Sequence, residues 1–207
     1  MRPRSLISST AHCREAITEK INFAATTNPA FWGEIAPSEH IAQFYEHDGV
    51  LLDTLTGFIG GGLKAGESTI VIATAAHLRA LEVGLQSSGV DMVSALVQHR
   101  YIALLADEAL DRLMVKQWPD DTLFTDFVTE LITRARANGR RVRAFGEMVA
   151  LLWARGATAA TVRLEYLWHQ LCKTEEFSLF CAYPKAGFTK DSSKSMREIC
   201  DAHSRVI

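Results

Sequence analysis

From Ser38 onward, short apolar runs alternate with longer segments in which apolar residues recur every three or four positions. Short runs rich in β-branched residues predict strands, and the longer period predicts helices. The strand candidates are "HIAQFY", "STIVIAT", "YIALLA", "RVRAFGE" and "FSLFCAY". The last four are apolar on both faces and are separated by helical sequence, so we expect them to be central parallel strands. The pattern predicts an α/β fold with helices on both faces of a mainly parallel sheet.

Glycine and proline indicate where two of the helices begin or end. The helix in "DGVLLDTLTGFIGGGL" is expected to end at the glycine run Gly60–Gly62, and a later helix is expected to begin at Pro119 and to end at Gly139. A closing helix is expected in "SKSMREICDAHSRVI". The apolar faces are expected to carry Val50, Leu51, Leu55, Phe58 and Ile59 in the first helix, and Leu123, Phe127, Leu131 and Ile132 in the second.

The segment "GFIGGGLKAGESTIVIAT" partly matches a phosphate-binding loop. Gly61, Gly66 and Ser68 fit the pattern G-x-x-x-x-G-K-[ST], but Glu67 stands where lysine is required. A working loop follows a strand and precedes a helix, whereas this segment follows a helix and precedes a strand. The strand-to-helix turn itself, "ATAAHLRAL", contains neither glycine nor lysine. We therefore expect no conventional ATPase.

Composition and charge narrow the class of protein. The chain has 207 residues, of which 48% are hydrophobic and 22% charged, as expected for one globular domain. Residues 1–36 are polar and lack a sustained apolar period, so we interpret them as an N-terminal extension and residues 37–207 as the domain. A net charge of −2 gives no basic patch for nucleic acid or for an anionic membrane.

The spacing of the cysteines and the shortness of the apolar stretches predict a cytoplasmic protein. The four cysteines are far apart, with no zinc-finger spacing, and the N-terminus does not look like a signal peptide. The apolar windows are much shorter than the roughly 20 residues that a membrane helix needs. The sequence therefore predicts free thiols, no membrane span, no cofactor and no metal.

A series of dispersed motifs resembles one family of sensory domains. The segments "HIAQFYEHDGVLLDTLTGFIGGGLKAGESTIVIAT", "RVRAFGEMVALLW", "RLEYLWHQL", "FSLFCAYP" and "AHSRVI" resemble, in this order, the MEDS domain of methanogen, methylotroph and DcmR regulators. The resemblance covers about residues 38–207. It implies a three-layer RecA-like (KaiC-like) fold that lacks the phosphate loop.

The same resemblance implies a role in signal input. Hydrocarbon derivatives are the ligands it implies, and transcription regulators or histidine kinases are the output. Since no helix-turn-helix or kinase module is recognisable, we expect the output to pass through a signalling partner, and a homo-oligomer is compatible with this. Two alternatives stay open, namely nucleotide binding without hydrolysis and a hydrolase that uses Glu147 as general base.

The candidate ligand-binding residues follow from the parallel sheet, because ligands bind beyond the carboxyl ends of such strands. Residues at or near predicted strand ends are Thr74, His77, Glu147, Met148 and Tyr183, and Glu165 on "RLEYLWHQL" is a further candidate. Glu147 has an alternative role as a helix cap or as an ion-pair partner of Arg141, Arg143 or Arg163. Cys181 is expected to be a small core residue, and His40 is expected to be a packed or exposed histidine rather than a ligand. The basic segment "RARANGRRVR" is expected to be mostly solvated.

Overall fold

The computed structural model describes residue 32 and residues 35–187 and 193–207. Within these residues the strands are β1 (His40–Tyr45), β2 (Ser68–Ala73), β3 (Tyr101–Leu105), β4 (Met114–Val115), β5 (Trp118–Pro119), β6 (Val142–Gly146), β7 (Ser178–Pro184) and β8 (Arg205–Val206). The α-helices are α1 (Asp48–Lys64), α2 (Ala75–Ser87), α3 (Met92–Val97), α4 (Ala106–Leu113), α5 (Asp121–Ala135), α6 (Met148–Ala154), α7 (Thr158–Thr174) and α8 (Ser193–Ala202).

Six of these strands form one sheet in the order β3-β2-β6-β7-β1-β8. Every neighbouring pair in it is parallel. Since parallel strands need crossover connections, helices lie between them along the chain and cover both faces of the sheet. The predicted α/β fold with a mainly parallel central sheet is therefore confirmed, and its layers agree with the three-layer RecA-like arrangement.

Alternate residues of each central strand point into two separate hydrophobic cores. Ile70 and Ile72 of β2 pack in the core beneath α4, α5, α6 and α7. Val71 and Ala73 of the same strand pack in the core beneath α1 and α2. A strand buried on both faces needs apolar residues at every position, which is why the continuous run "STIVIAT" identified β2 correctly.

One of the four strands expected to be central is an edge strand. The run "YIALLA" forms β3, which pairs only with β2 among the described residues. After the buried Tyr101, its residues alternate between half-buried and exposed positions, as an edge strand allows. The strand and its parallel direction were predicted correctly, whereas its central position was wrong.

The glycine run does not end the first helix. Helix α1 continues through Gly60–Gly62 to Lys64, and the chain turns at Gly66, whose φ is +80°. Small residues are needed inside the helix because a Cβ on Gly62 would lie 2.8 Å from Cδ of the buried Arg143 side chain. Val50 was expected on the buried face but is 49% exposed.

The later helices also differ at their ends. Pro119 belongs to the two-residue strand β5, and α5 begins after Asp120, whose side chain accepts hydrogen bonds from the first amides. The buried face of α5 carries Phe124 and Val128, while Leu123 is exposed. The closing helix stops at Ala202, and the residues after it form β8, which extends the sheet beside β1.

Residues near the predicted domain boundary pack on the sheet. The ring of Trp32 lies edge-on to Phe58, with centroids 5.6 Å apart, and Ile35 is buried. Residues 1–31, 33 and 34 lie outside the described part, so the extension proposed for residues 1–36 stays a prediction. None of the helices in the described part is long and apolar enough to cross a membrane.

Candidate functional site

Two neighbouring strands bring the predicted site residues to one edge of the sheet. Strand β2 ends at Ala73 and β6 ends at Gly146, so Thr74 and Glu147 follow side by side at the carboxyl edge. The amide of Glu147 donates to the carbonyl of Ile72 over 2.8 Å, which continues the ladder by one residue. The geometry of the parallel pair therefore fixes the position of Glu147.

Both carboxylate oxygens of Glu147 accept hydrogen bonds. Oε2 accepts from the amide of Thr74 over 2.7 Å, and Oε1 lies 2.8 Å from Nδ1 of His77. The Glu147 residue is only 4% exposed. Glu147 is thus a buried carboxylate that holds the first turn of α2, and it forms no ion pair with the arginines considered as its partners.

This carboxylate lies where a phosphate-binding loop would place its anion. The N-terminus of a helix that follows a strand attracts negative charge through its free amides and its dipole. Here Thr74 caps α2 by accepting from the amide of His77, and its own amide donates to Glu147. An incoming phosphate would meet the negative charge of Glu147 instead of a free amide and a lysine.

His77 connects this carboxylate to solvent. Nε2 of its ring lies 3.6 Å from Oδ2 of Asp48, and the side chains of His77 and Asp48 are 12% and 71% exposed. The hydrogen bond to Glu147 is the main cause that raises the pKa of His77, and the charges of Glu147 and Asp48 add to it against the opposing effect of burial. Burial, with smaller effects of the same two carboxylates, raises the pKa of Tyr45 to about 12.

We call these residues the strand-end cluster, which consists of Tyr45, Asp48, Thr74, His77 and Glu147. Three of them were predicted from the sequence, namely Thr74, His77 and Glu147. The remaining predicted residues lie elsewhere. Met148 is fully buried in the core below α4 to α7, and Glu165 and Tyr183 meet in the same layer, between the sheet and the helices.

Glu165 and Tyr183 form a second, buried group. The hydroxyl of Tyr183 donates to Oε1 of Glu165, and both residues are almost inaccessible to solvent. Burial is the main cause that raises the pKa of each. Next to the other oxygen of Glu165 lie three further side chains, those of His40, Cys181 and His203. We call Glu165 and these three residues the buried cluster.

Sequence reasoning did not find the buried cluster. Cys181 was expected to be a core residue and is buried, and His40, for which a packed or an exposed position was expected, is buried as well. Their sequence positions gave no metal-ligand spacing, because the two lie on different strands. Only the pairing of β1 with β7, in which Ala42 lies opposite Cys181, brings them together. The alternation of side chains along β1 then points His40 to the same face as Phe44 and Tyr183.

The segment that resembles a phosphate loop lies at the opposite edge of the sheet. Glu67, which replaces the lysine, accepts a hydrogen bond from Nε of Arg143, and both side chains are buried. Arg143 also donates to the carbonyls of Trp32 and Phe58, over 2.6 and 3.1 Å. The expectation that the basic segment is solvated is wrong for Arg143, because the pair with Glu67 compensates its charge inside the fold.

Comparison with known families identifies the relatives of this fold. The family model described as "MEthanogen/methylotroph, DcmR Sensory domain" (MEDS) matches residues 39–204. A search of curated proteins finds no significant match. The family match starts at the residue before β1 and ends just before β8, so it includes both the strand-end cluster and the buried cluster.

Proposed function

Because the chain belongs to the MEDS family of sensory domains, we propose that it is a non-catalytic sensor that binds a small organic ligand at the strand-end cluster. Binding there would change a surface that a signalling partner recognises. The partner is a histidine kinase or a transcription regulator, and the setting is the cytoplasm, in keeping with Cys172 and Cys181, neither of which forms a disulfide.

The position of the His77 ring is the observation that supports the strand-end cluster as the ligand-binding site. One ring nitrogen is held by Glu147, while the other faces the border with solvent beside Asp48. A ring fixed in this way can donate from Nε2 to a ligand oxygen that displaces Asp48. The raised pKa of His77 favours the protonated ring that this requires. We therefore propose a ligand with a hydrogen-bond acceptor, such as a small alcohol, aldehyde or carboxylate derived from a hydrocarbon.

The strand-end cluster supports a sensor better than a nucleotide-binding domain. The carboxylate of Glu147 occupies the amide of Thr74 at the start of α2 and would repel phosphates. A hydrolase with Glu147 as base is also disfavoured, since both oxygens already accept short hydrogen bonds from the protein. Binding of a ligand without catalysis requires no change in the hydrogen bonds of Glu147.

Ligand-induced thermal shifts test the proposal. The panel contains small alcohols, aldehydes and carboxylates, together with ATP and ADP. A ligand at a hundredfold excess over its Kd stabilises the folded state by about 2.7 kcal/mol, and such a shift is easily measured. We expect a shift with at least one compound of the first group, and loss of that shift in His77→Gln and Glu147→Gln.

The matched control is Glu175→Gln at the other edge of the sheet. Glu175 forms a partly buried ion pair with Arg136 over 2.9 Å, so the change again replaces one paired carboxylate by an amide. We expect this variant to keep the ligand-induced shift. A shift with ATP or ADP alone would favour the nucleotide-binding alternative, and equal loss in all three variants would contradict binding at the strand-end cluster.

A further inference from the structure

Four metal-binding side chains that are not part of the strand-end cluster lie close to one another inside the protein. They are the members of the buried cluster, and one donor atom from each lies within 4.8 Å of the other three. Their donors are two imidazole nitrogens, one thiol sulfur and one carboxylate oxygen. This combination of ligand types is the one that zinc and similar divalent ions prefer.

Three of the separations between the donors are those of ligands around a common ion, and the others do not exceed 4.8 Å. Nε2 of His40 lies 3.4 Å from Sγ of Cys181 and 3.4 Å from Oε2 of Glu165. Nε2 of His203 lies 3.5 Å from the same oxygen of Glu165. Tetrahedral zinc with ordinary bond lengths separates its ligands by about 3.3 to 3.7 Å. Charge-assisted hydrogen bonds between nitrogen and oxygen are shorter, at about 2.7 to 2.9 Å.

The hydrogen bonds around the cluster orient its donors. Nδ1 of His203 lies 2.6 Å from the carbonyl of Ile199, which can only accept, so Nδ1 carries a proton and Nε2 can present a lone pair to the cluster. The hydroxyl of Tyr183 donates to Oε1 of Glu165 and leaves Oε2 facing inward. Bound metals usually have such outer partners on their histidine and carboxylate ligands.

Two of the inward-facing atoms have no hydrogen bond of normal geometry. Oε2 of Glu165 and Nε2 of His203 are buried and make none with the described residues. A buried polar atom without a partner costs free energy, so native proteins usually supply one. A lone pair on nitrogen beside a carboxylate oxygen is repulsive unless a proton or a metal cation lies between them. The 3.5 Å between Nε2 of His203 and Oε2 of Glu165 is long for a shared proton and suits a metal ion.

We propose that the buried cluster binds one divalent transition-metal ion through its four donors, and that zinc is the best match. A thiolate, a carboxylate and two neutral imidazoles would carry a charge of −2, which one such ion neutralises. All four residues are buried, so the ligand set is closed and the site is of the structural rather than the catalytic type. It connects the end of α8 to β1, β7 and α7.

Metal content and cobalt spectroscopy test this site. The full-length, untagged protein is purified, supplied with Zn²⁺ or Co²⁺, dialysed and analysed for metal by mass spectrometry. We expect about one ion per chain. With Co²⁺ we expect a near-ultraviolet charge-transfer band from the thiolate and visible bands of tetrahedral intensity. A folded wild-type protein that retains no metal, or that binds cobalt without a thiolate band, would overturn the proposal.

Paired variants assign the site. Cys181→Ser should lose the thiolate band and His203→Gln should lose the bound ion. Cys172→Ser and His169→Gln should keep both, since the thiol of Cys172 donates to the carbonyl of Phe177 over 2.9 Å and His169 is not one of the four donors. Equal loss in both members of a pair would contradict the assignment.

Folding of the variants is checked by circular dichroism. If Cys181→Ser or His203→Gln does not fold, the test uses the wild-type protein together with variants of the cysteines outside the buried cluster. One cobalt ion per chain with a thiolate band that persists when each of the other three cysteines is changed, in Cys13→Ser, Cys172→Ser and Cys200→Ser, supports the site. A band that disappears in any of these places the metal on another cysteine and overturns the proposal.

Discussion

Two buried glutamates at opposite edges of the sheet have different roles, one in an ion pair and the other as a hydrogen-bond acceptor at the start of a helix. At the amino edge, Glu67 pairs with a buried guanidinium and replaces the cation of a phosphate loop with a structural ion pair. At the carboxyl edge, Glu147 accepts hydrogen bonds from the amide of Thr74 and the imidazole of His77, and it raises the pKa of His77. The sequence indicated that both positions matter, but the partners depend on which strands are neighbours.

The protonation of His77 gives the first prediction, at this scale. Its pKa is raised above the ordinary 6.5, chiefly by the hydrogen bond to Glu147. The protonated ring therefore stabilises the fold fully below that ordinary value, and this stabilisation is lost as the pH rises through the raised value. We expect His77→Gln to lower the free energy of unfolding more at about pH 5.5 than at about pH 9.

Urea unfolding at the two pH values provides the measurement. The titratable groups that interact with His77 are Glu147 and Asp48. With Glu147→Gln as the background, the effect of His77→Gln should become nearly independent of pH, because the main cause of the shift is gone. Equal effects at both pH values in the wild-type background would show that His77 does not gain a proton affinity on folding.

At the scale of elements, the patterns that predict a strand or a helix identified all five long strands. They did not identify the ends of α1 and α5, because an end depends on what the element packs against. Gly60–Gly62 looks like a stop signal, yet these residues lie inside α1, where side chains and backbone from other segments of the protein approach closely. The short pair β4 and β5 was missed, since two residues on each side are too few to show any period.

The close approach at Gly62 gives the second prediction. A Cβ at this position would lie 2.8 Å from Cδ and 2.9 Å from Nε of Arg143. Moving that side chain disturbs its buried pair with Glu67, so Gly62→Ala should lower the free energy of unfolding by about 2 kcal/mol, despite the better helix propensity of alanine.

Gly49 in the same helix is the control, measured by the same denaturant unfolding. Nothing lies within 4 Å of a Cβ built on Gly49. Gly49→Ala should therefore leave stability unchanged or raise it by about 0.5 kcal/mol, because alanine loses less backbone entropy on folding. If both substitutions stabilise the protein, the glycine run is not required for the packing of Arg143.

For the whole molecule, the sheet and its layers follow from alternation of short apolar runs with helices, but the two polar clusters depend on strand order. Thr74, His77 and Glu147 could be predicted together because all of them follow strands that end at one edge. Glu165 belongs instead to the buried cluster, since α7 covers β7 and points Glu165 at the sheet, where it accepts a hydrogen bond from Tyr183. No sequence period relates His40 to His203, which lie at opposite ends of the described domain.

The extent of the folded unit gives the last prediction. Trp32 falls within residues 1–36, the segment interpreted as an extension, yet its ring contacts those of Phe58 and Phe180 and the guanidinium of Arg205 lies 5.5 Å from it. We expect Trp32→Ala to lower the free energy of unfolding by about 2 kcal/mol, less than the 3 to 5 kcal/mol typical of a fully buried tryptophan, because Trp32 is only half-buried.

Urea unfolding followed by circular dichroism and by fluorescence measures this change, with Trp118→Ala as the matched control. Trp118 is 47% exposed and lies in the short strand β5, so its loss should change stability by at most about 0.5 kcal/mol. Both probes should shift together in Trp32→Ala, because the ring packs on Phe58 and Phe180 of the core below α1. If Trp32→Ala unfolds like the wild type, the folded unit begins after Trp32 and the packing of this ring contributes no stability.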